Sequence, residues 1–89
     1  MYIKKILELS TAHITYETSL AMDHGGHCIA NTGYGYLVFA DPWEVKHAAD
    51  STCPDDLIAC MKLALDNDCT YILFDCDGPA IEALPTYEW

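Results

Sequence analysis

PDDLIACMKLALDNDCTYILF, residues 54–74, runs through a helix, its stop and a strand without interruption. Pro54 suits the first helical position, because the amide hydrogen it lacks has no partner in the first turn of any helix. Asp55 and Asp56 suit the positive end of the helix dipole. Leu57, Cys60, Met61, Ala64 and Leu65 recur at three- and four-residue spacing and predict one apolar stripe. Asn67-Asp68 then turns the chain, and Thr70 to Phe74 is a short run of strand formers. A helix followed by a strand therefore closes the regular part of the fold.

Working outward, Ile3 to Leu9 mixes apolar residues with Lys4, Lys5 and Glu8 and reads as a first strand. Thr15 caps a helix from Tyr16 to about Asp23, which Gly25-Gly26 stops. Cys28 to Ala30 and Tyr34 to Ala40 flank Asn31-Thr32-Gly33 and predict a β-hairpin. The second arm is apolar on both faces, which predicts a strand inside the sheet, and Asp41-Pro42 ends it. Trp43 to Thr52 reads as a loop or short helix. Residues 76–89, with two prolines and a glycine, predict an irregular tail pinned to the body by Ile81, Leu84, Tyr87 and Trp89. The order βαββαβ predicts one α+β domain over residues 1–89. The expected arrangement is ferredoxin-like, a four-stranded antiparallel sheet with two helices on one face.

A chain of 89 residues that is 52% apolar supports one core and is too hydrophobic for a disordered polyelectrolyte. No apolar run approaches the roughly 20 residues of a membrane span, and no signal-type core follows Lys4 and Lys5. The five cysteines are an odd number without paired spacings, which predicts free thiols in a reducing compartment, the cytoplasm. Fourteen carboxylates face four lysines and no arginine, for a net charge of −10. Such a field repels phosphate, which argues against direct nucleic-acid binding and favours a basic protein partner.

Three constellations carry candidate chemistry. Tyr71 to Gly78, an apolar strand ending in Asp75-Cys76-Asp77-Gly78, looks like the nucleophile motif of haloacid dehalogenase-type phosphatases. That resemblance implies Asp75 as nucleophile and Asp77 as acid/base beside magnesium. Against it, only eleven residues follow Gly78 and the last lysine is Lys62, so a solvated Asp-Gly turn is the plainer reading. His24, His27 and Cys28 could supply part of a zinc site, whose remaining ligands would come from His13, His47, Cys53 or another remote residue. A polar glycine-containing loop is the alternative. His27 and Cys28, as neighbours in a strand, would point to opposite faces and could not pair for thiolate catalysis. Cys60 falls in the helix stripe, and Cys69 and Cys76 flank a strand, as small buried hydrophobes do. No cofactor is implied.

The third constellation is acidic. Asp55 and Asp66 lie eleven residues apart, or about 17 Å along a helix, a span of several phosphates along DNA. Asp66 sits at the helix's negative end, where a carboxylate costs about 0.3 to 1 kcal/mol, so local stability does not explain it. Asp55, Asp56, Asp66 and Asp68, with Glu44 and an anchoring Trp43, are therefore the candidate partner-binding residues. Solubility alone is the competing explanation.

Ser10-Thr11-Ala12-His13-Ile14-Thr15, the Gly33-Tyr34-Gly35-Tyr36 hairpin and the ending from Asp75-Cys76-Asp77-Gly78-Pro79 to Leu84-Pro85-Thr86-Tyr87-Glu88-Trp89 resemble an uncharacterised bacterial family that includes the YeeW protein. That family is associated with prophages and other mobile elements. The resemblance implies a role in conflict between such an element and its host, and it supplies no catalytic residues. By analogy, a small acidic domain in that setting looks like the anti-CRISPR inhibitors, some of which occupy the DNA-binding groove of the Cascade complex. The expectation is an acidic inhibitor that binds a basic nucleic-acid-binding protein as a DNA mimic. The alternatives are a small metal-binding or Asp-dependent hydrolytic enzyme, and an antitoxin-like accessory protein.

Overall fold

In the computed structural model, which describes residues 2–89, a four-stranded mixed sheet carries its helices on one face. The strands are β1 (Ile6–Ser10), β2 (Ala30–Asn31), β3 (Gly35–Phe39) and β4 (Tyr71–Asp75), and the helices are α1 (Tyr16–Asp23), α2 (Pro42–Lys46) and α3 (Asp55–Asp66). A single 3₁₀ turn, Thr11–His13, links β1 to α1. Sheet order is β1-β4-β3-β2.

The local signals act as their chemistry requires. The Thr15 hydroxyl accepts from the Thr18 amide and opens α1, and the Asp41 carboxylate accepts from the Trp43 amide and opens α2 with Pro42 in the first turn. Pro54 is the residue before α3 rather than its first helical residue. Between β2 and β3 the chain turns through Gly33 at φ 86°, a conformation that favours glycine.

The purely antiparallel, ferredoxin-like sheet is corrected on one point: β4 inserts between β1 and β3, parallel to β1 and antiparallel to β3. The reason lies in the strands' composition. Tyr71-Ile72-Leu73-Phe74 is an unbroken apolar run, like Tyr36 to Phe39 of β3, and the sheet interior is where such runs lose most water. β1, preceded by Lys4 and Lys5 and interrupted by Glu8, takes an edge, where charge is tolerated. Its bounds also shift, from the expected Ile3–Leu9 to Ile6–Ser10.

Register puts Leu7, Ile72 and Val38 in one row and Leu9, Phe74 and Tyr36 in the next. Met22 of α1 and the α3 stripe of Leu57, Cys60, Met61 and Ala64 pack on those rows to complete the core. The opposite face presents Ile6, Tyr71 and Phe39 in one row, with the Phe39 and Tyr71 rings edge to face at 6.1 Å.

Residues 76–89 form no helix or strand but are tightly held. The Ser10 amide donates to Pro79 O at 2.8 Å, the Tyr87 amide to Ala12 O at 2.8 Å, and the Trp89 indole N–H to Ile14 O at 2.9 Å. Buried His13 is the hub. Its Nε2 accepts from the Ile81 amide at 2.9 Å, so the ring proton sits on Nδ1 and donates to Pro85 O at 2.8 Å. Among the described residues, no helix is long and apolar enough to cross a membrane.

Candidate functional site

Two surfaces gather the residues that the sequence singles out. The first is the outer side of α2 and α3. Asp55 and Asp66 are both exposed, and eleven residues is close to three turns at about 3.6 residues per turn, so they share one side of α3. Lys62 lies on the same side, one turn from Asp66. Asp68 is exposed in the turn beyond, held at φ 59°. Trp43 is 57% exposed on α2, its ring 4.7 Å from the His47 imidazole.

Two of the expected acidic contacts face elsewhere. Asp56 is turned inward, where one carboxylate oxygen accepts from the Thr15 amide at 2.7 Å and the other from the Thr18 hydroxyl at 2.9 Å. It ties the start of α3 to the start of α1 and is a structural brace rather than a free phosphate surrogate. Glu44 is half-buried and accepts a hydrogen bond from the Ser51 hydroxyl.

Glu44 belongs to the second surface. A pocket of about 240 Å³ opens beside the last residues of β3 and is lined by His27, Cys28, Ile29, Phe39, Asp41, Glu44 and Met61. It exists because β2 is only two residues long and because His27, at φ 60°, bends the chain away from the sheet edge just before β2. The expectation that His27 and Cys28 alternate within a strand is corrected by that bend. Two residues of the lining meet buried Cys53: a nitrogen of His27, a carboxylate oxygen of Glu44 and the Cys53 sulfur lie within 4.8 Å of one another. Burial, reinforced by Glu44, Asp56, Asp41 and Asp55, pushes the Cys53 thiol up to about 12. Cys28 also lines the pocket but lies outside this cluster, its thiol donating to Ala30 O at 3.1 Å. His24 caps the end of α1 and is exposed.

The Asp75-Cys76-Asp77-Gly78 stretch is a turn at the end of β4. The Asp75 carboxylate accepts from the Asp77 amide at 2.8 Å, and the Gly78 amide donates to Asp75 O at 2.9 Å. The neighbouring pocket, about 290 Å³, is lined by Asp23, Tyr34, Tyr36, Cys76 and Trp89 among others and by no lysine among the described residues. A phosphoryl group would meet negative charge there without a cation to offset it. Cys76 is exposed, which corrects its reading as a buried hydrophobe.

Residues 6–89 match the model of a family described as a family of unknown function (DUF5983), C-terminal domain. The chain belongs to this family. No curated protein and no solved structure matches it.

In this DUF5983 domain the sequence brings His27 and Cys53 forward as possible metal ligands, but it joins His27 first to His24 and Cys28 and takes Glu44 for a partner contact. Glu44 and Cys53 lie 17 and 26 positions further along the chain, with no motif spacing to join them. The usable signals were the side-chain types and the Gly25-Gly26 pair, which frees the backbone beside His27 to leave the strand path.

Proposed function

We propose that this chain works by binding rather than by catalysis, as an acidic inhibitor that docks on a basic nucleic-acid-binding protein or complex. The observation that carries this reading is the outer side of α3, where Asp55 and Asp66 stand about 17 Å apart on one side with Asp68 just beyond. Exposed carboxylates at that separation can occupy cation sites that otherwise hold phosphates. Trp43, exposed on the adjoining α2, supplies the large apolar contact that interfaces need beside their charge. Lys62 interrupts the acidic stripe, so the surface is patterned rather than uniformly negative. By analogy with small acidic anti-CRISPR proteins, a CRISPR Cascade complex is one such target in a bacterial host.

The test is capture of partners from host lysate on the tagged chain at low and high salt, with mass spectrometry of what elutes. A basic DNA- or RNA-binding assembly that is lost at high salt, and lost to the triple variant Asp55→Lys, Asp66→Lys, Asp68→Lys, is the expected result. Asp56 is left intact in that variant because it braces α1. Capture that is insensitive to both salt and charge reversal would remove the acidic face from the interface.

A further inference from the structure

We propose that His27, Glu44 and Cys53 bind a zinc ion. Imidazole nitrogen, carboxylate oxygen and cysteine sulfur are the three protein ligand types zinc accepts, and the nitrogen–sulfur content disfavours calcium and magnesium, which take oxygen. The three side chains come from separate parts of the chain: the turn before β2, helix α2, and the segment that leads into α3. Their donor atoms lie within 4.8 Å of one another. Zinc at its usual bond lengths of about 2.0 to 2.3 Å holds tetrahedral ligands roughly 3.5 Å apart, so small side-chain rotations close the set.

A second, independent feature supports the site. The Ser51 hydroxyl accepts from the Cys53 amide at 2.9 Å and donates to the Glu44 carboxylate, so one side chain fixes two ligands relative to each other. Outer hydrogen bonds of this kind orient metal ligands. The protein supplies three donors, two of which, His27 and Glu44, line the 240 Å³ pocket, and a water would complete the tetrahedron. Binding exchanges the Cys53 thiol proton for the metal, which releases that proton to solvent. The other cluster of ligand-type atoms, Asp75, Cys76 and Asp77, is sequence-local and lacks a nitrogen donor, and an Asp75 oxygen is already committed to the Asp77 amide.

The experiment titrates metal-free full-length chain with cobalt(II), a spectroscopic stand-in, and then with zinc. One equivalent of cobalt should produce a thiolate-to-metal charge-transfer band that zinc displaces. Cys53→Ser should abolish that band. His27→Ala and Glu44→Gln should each weaken zinc binding by at least about 100-fold, and Ser51→Ala by about 10- to 100-fold. Cys28→Ser and His24→Ala should leave the titration unchanged. Because Cys53 is buried, circular dichroism establishes that each variant is folded, and the His27 variant tests the site without touching the core. Absence of stoichiometric binding to the wild-type chain overturns the proposal. So does a band that survives Cys53→Ser in folded protein and disappears with Cys28→Ser.

Discussion

His13 shows how much one side chain can hold. Both ring nitrogens are satisfied by the tail, at Ile81 and Pro85, and the Cys60 thiol lies 3.8 Å from the His13 carbonyl. Replacing His13 with Ala removes a buried ring and leaves the part-buried hydrogen bonds of the Ile81 amide and the Pro85 carbonyl unmade, and we expect a loss of about 2 to 3 kcal/mol in urea unfolding. Asp56→Ala should cost a similar amount, since it leaves the Thr15 amide and Thr18 hydroxyl without their acceptors. The cysteines separate by environment. Burial, with Asp56 nearby, pushes the Cys60 thiol up to about 12, whereas Cys76 is exposed. Alkylation followed by peptide mapping should find Cys76 modified first and Cys60 last. Burial and the hydrogen bond to Asp23 likewise push the Tyr36 phenol up to about 12. Both folded values lie above their ordinary ones, so the stability held by the neutral forms is complete below about pH 9 and is lost as pH rises toward about 12. The urea midpoint of metal-free protein should therefore be flat near neutrality and fall through that alkaline window.

At the scale of elements, the β3–β4 pairing depends on a missing side chain. A Cβ at Gly35 would meet Phe74 O at 1.8 Å, a contact with backbone that no rotamer relieves. Gly35→Ala should therefore splay the central strands and lower the melting temperature more than an exposed glycine change such as Gly25→Ala. In α3, Leu57 is fully buried against the sheet, and Leu57→Ala should cost about 2 to 5 kcal/mol by calorimetry or urea unfolding. The helix ends are less favourable: Asp66 faces the negative end of the dipole, and Pro54 provides no side-chain cap. Of the exposed acids Asp55, Asp66 and Asp68, Asp55 suits the positive end of α3 and Asp66 opposes the negative one, while Asp68 lies in the turn beyond.

At the scale of the whole molecule, a net charge of −10 sits on a body only 37 × 30 × 27 Å in extent. All the carboxylates except Asp41, Glu44, Asp56 and Asp75 are exposed. Folding draws these charges together, and screening reduces the resulting repulsion within a Debye length of about 10 Å at 0.1 M salt. Sodium chloride should therefore raise the melting temperature from its low-salt value while it weakens any complex with a basic partner. A domain stabilised by surface ion pairs would show the opposite trend.

Read alone, the sequence determined the secondary elements best where a local rule acts within a few residues. Thr15 opens α1, Gly33 turns the hairpin, and the three- and four-residue spacing in α3 marks its buried side, because caps, turns and stripes are properties of neighbours along the chain. It also determined the acidic character, which is a sum over residues. Tertiary structure alone decided that β4 lies between β1 and β3, since strand order depends on competition among all strands for the dry centre of the sheet. It likewise decided that Asp56 braces α1 while Asp55 faces solvent, although the two are adjacent and chemically identical. The meeting of His27 with Glu44 and Cys53 has the same origin: packing of α2 beside a bent sheet edge brings together donors that no spacing along the chain connects.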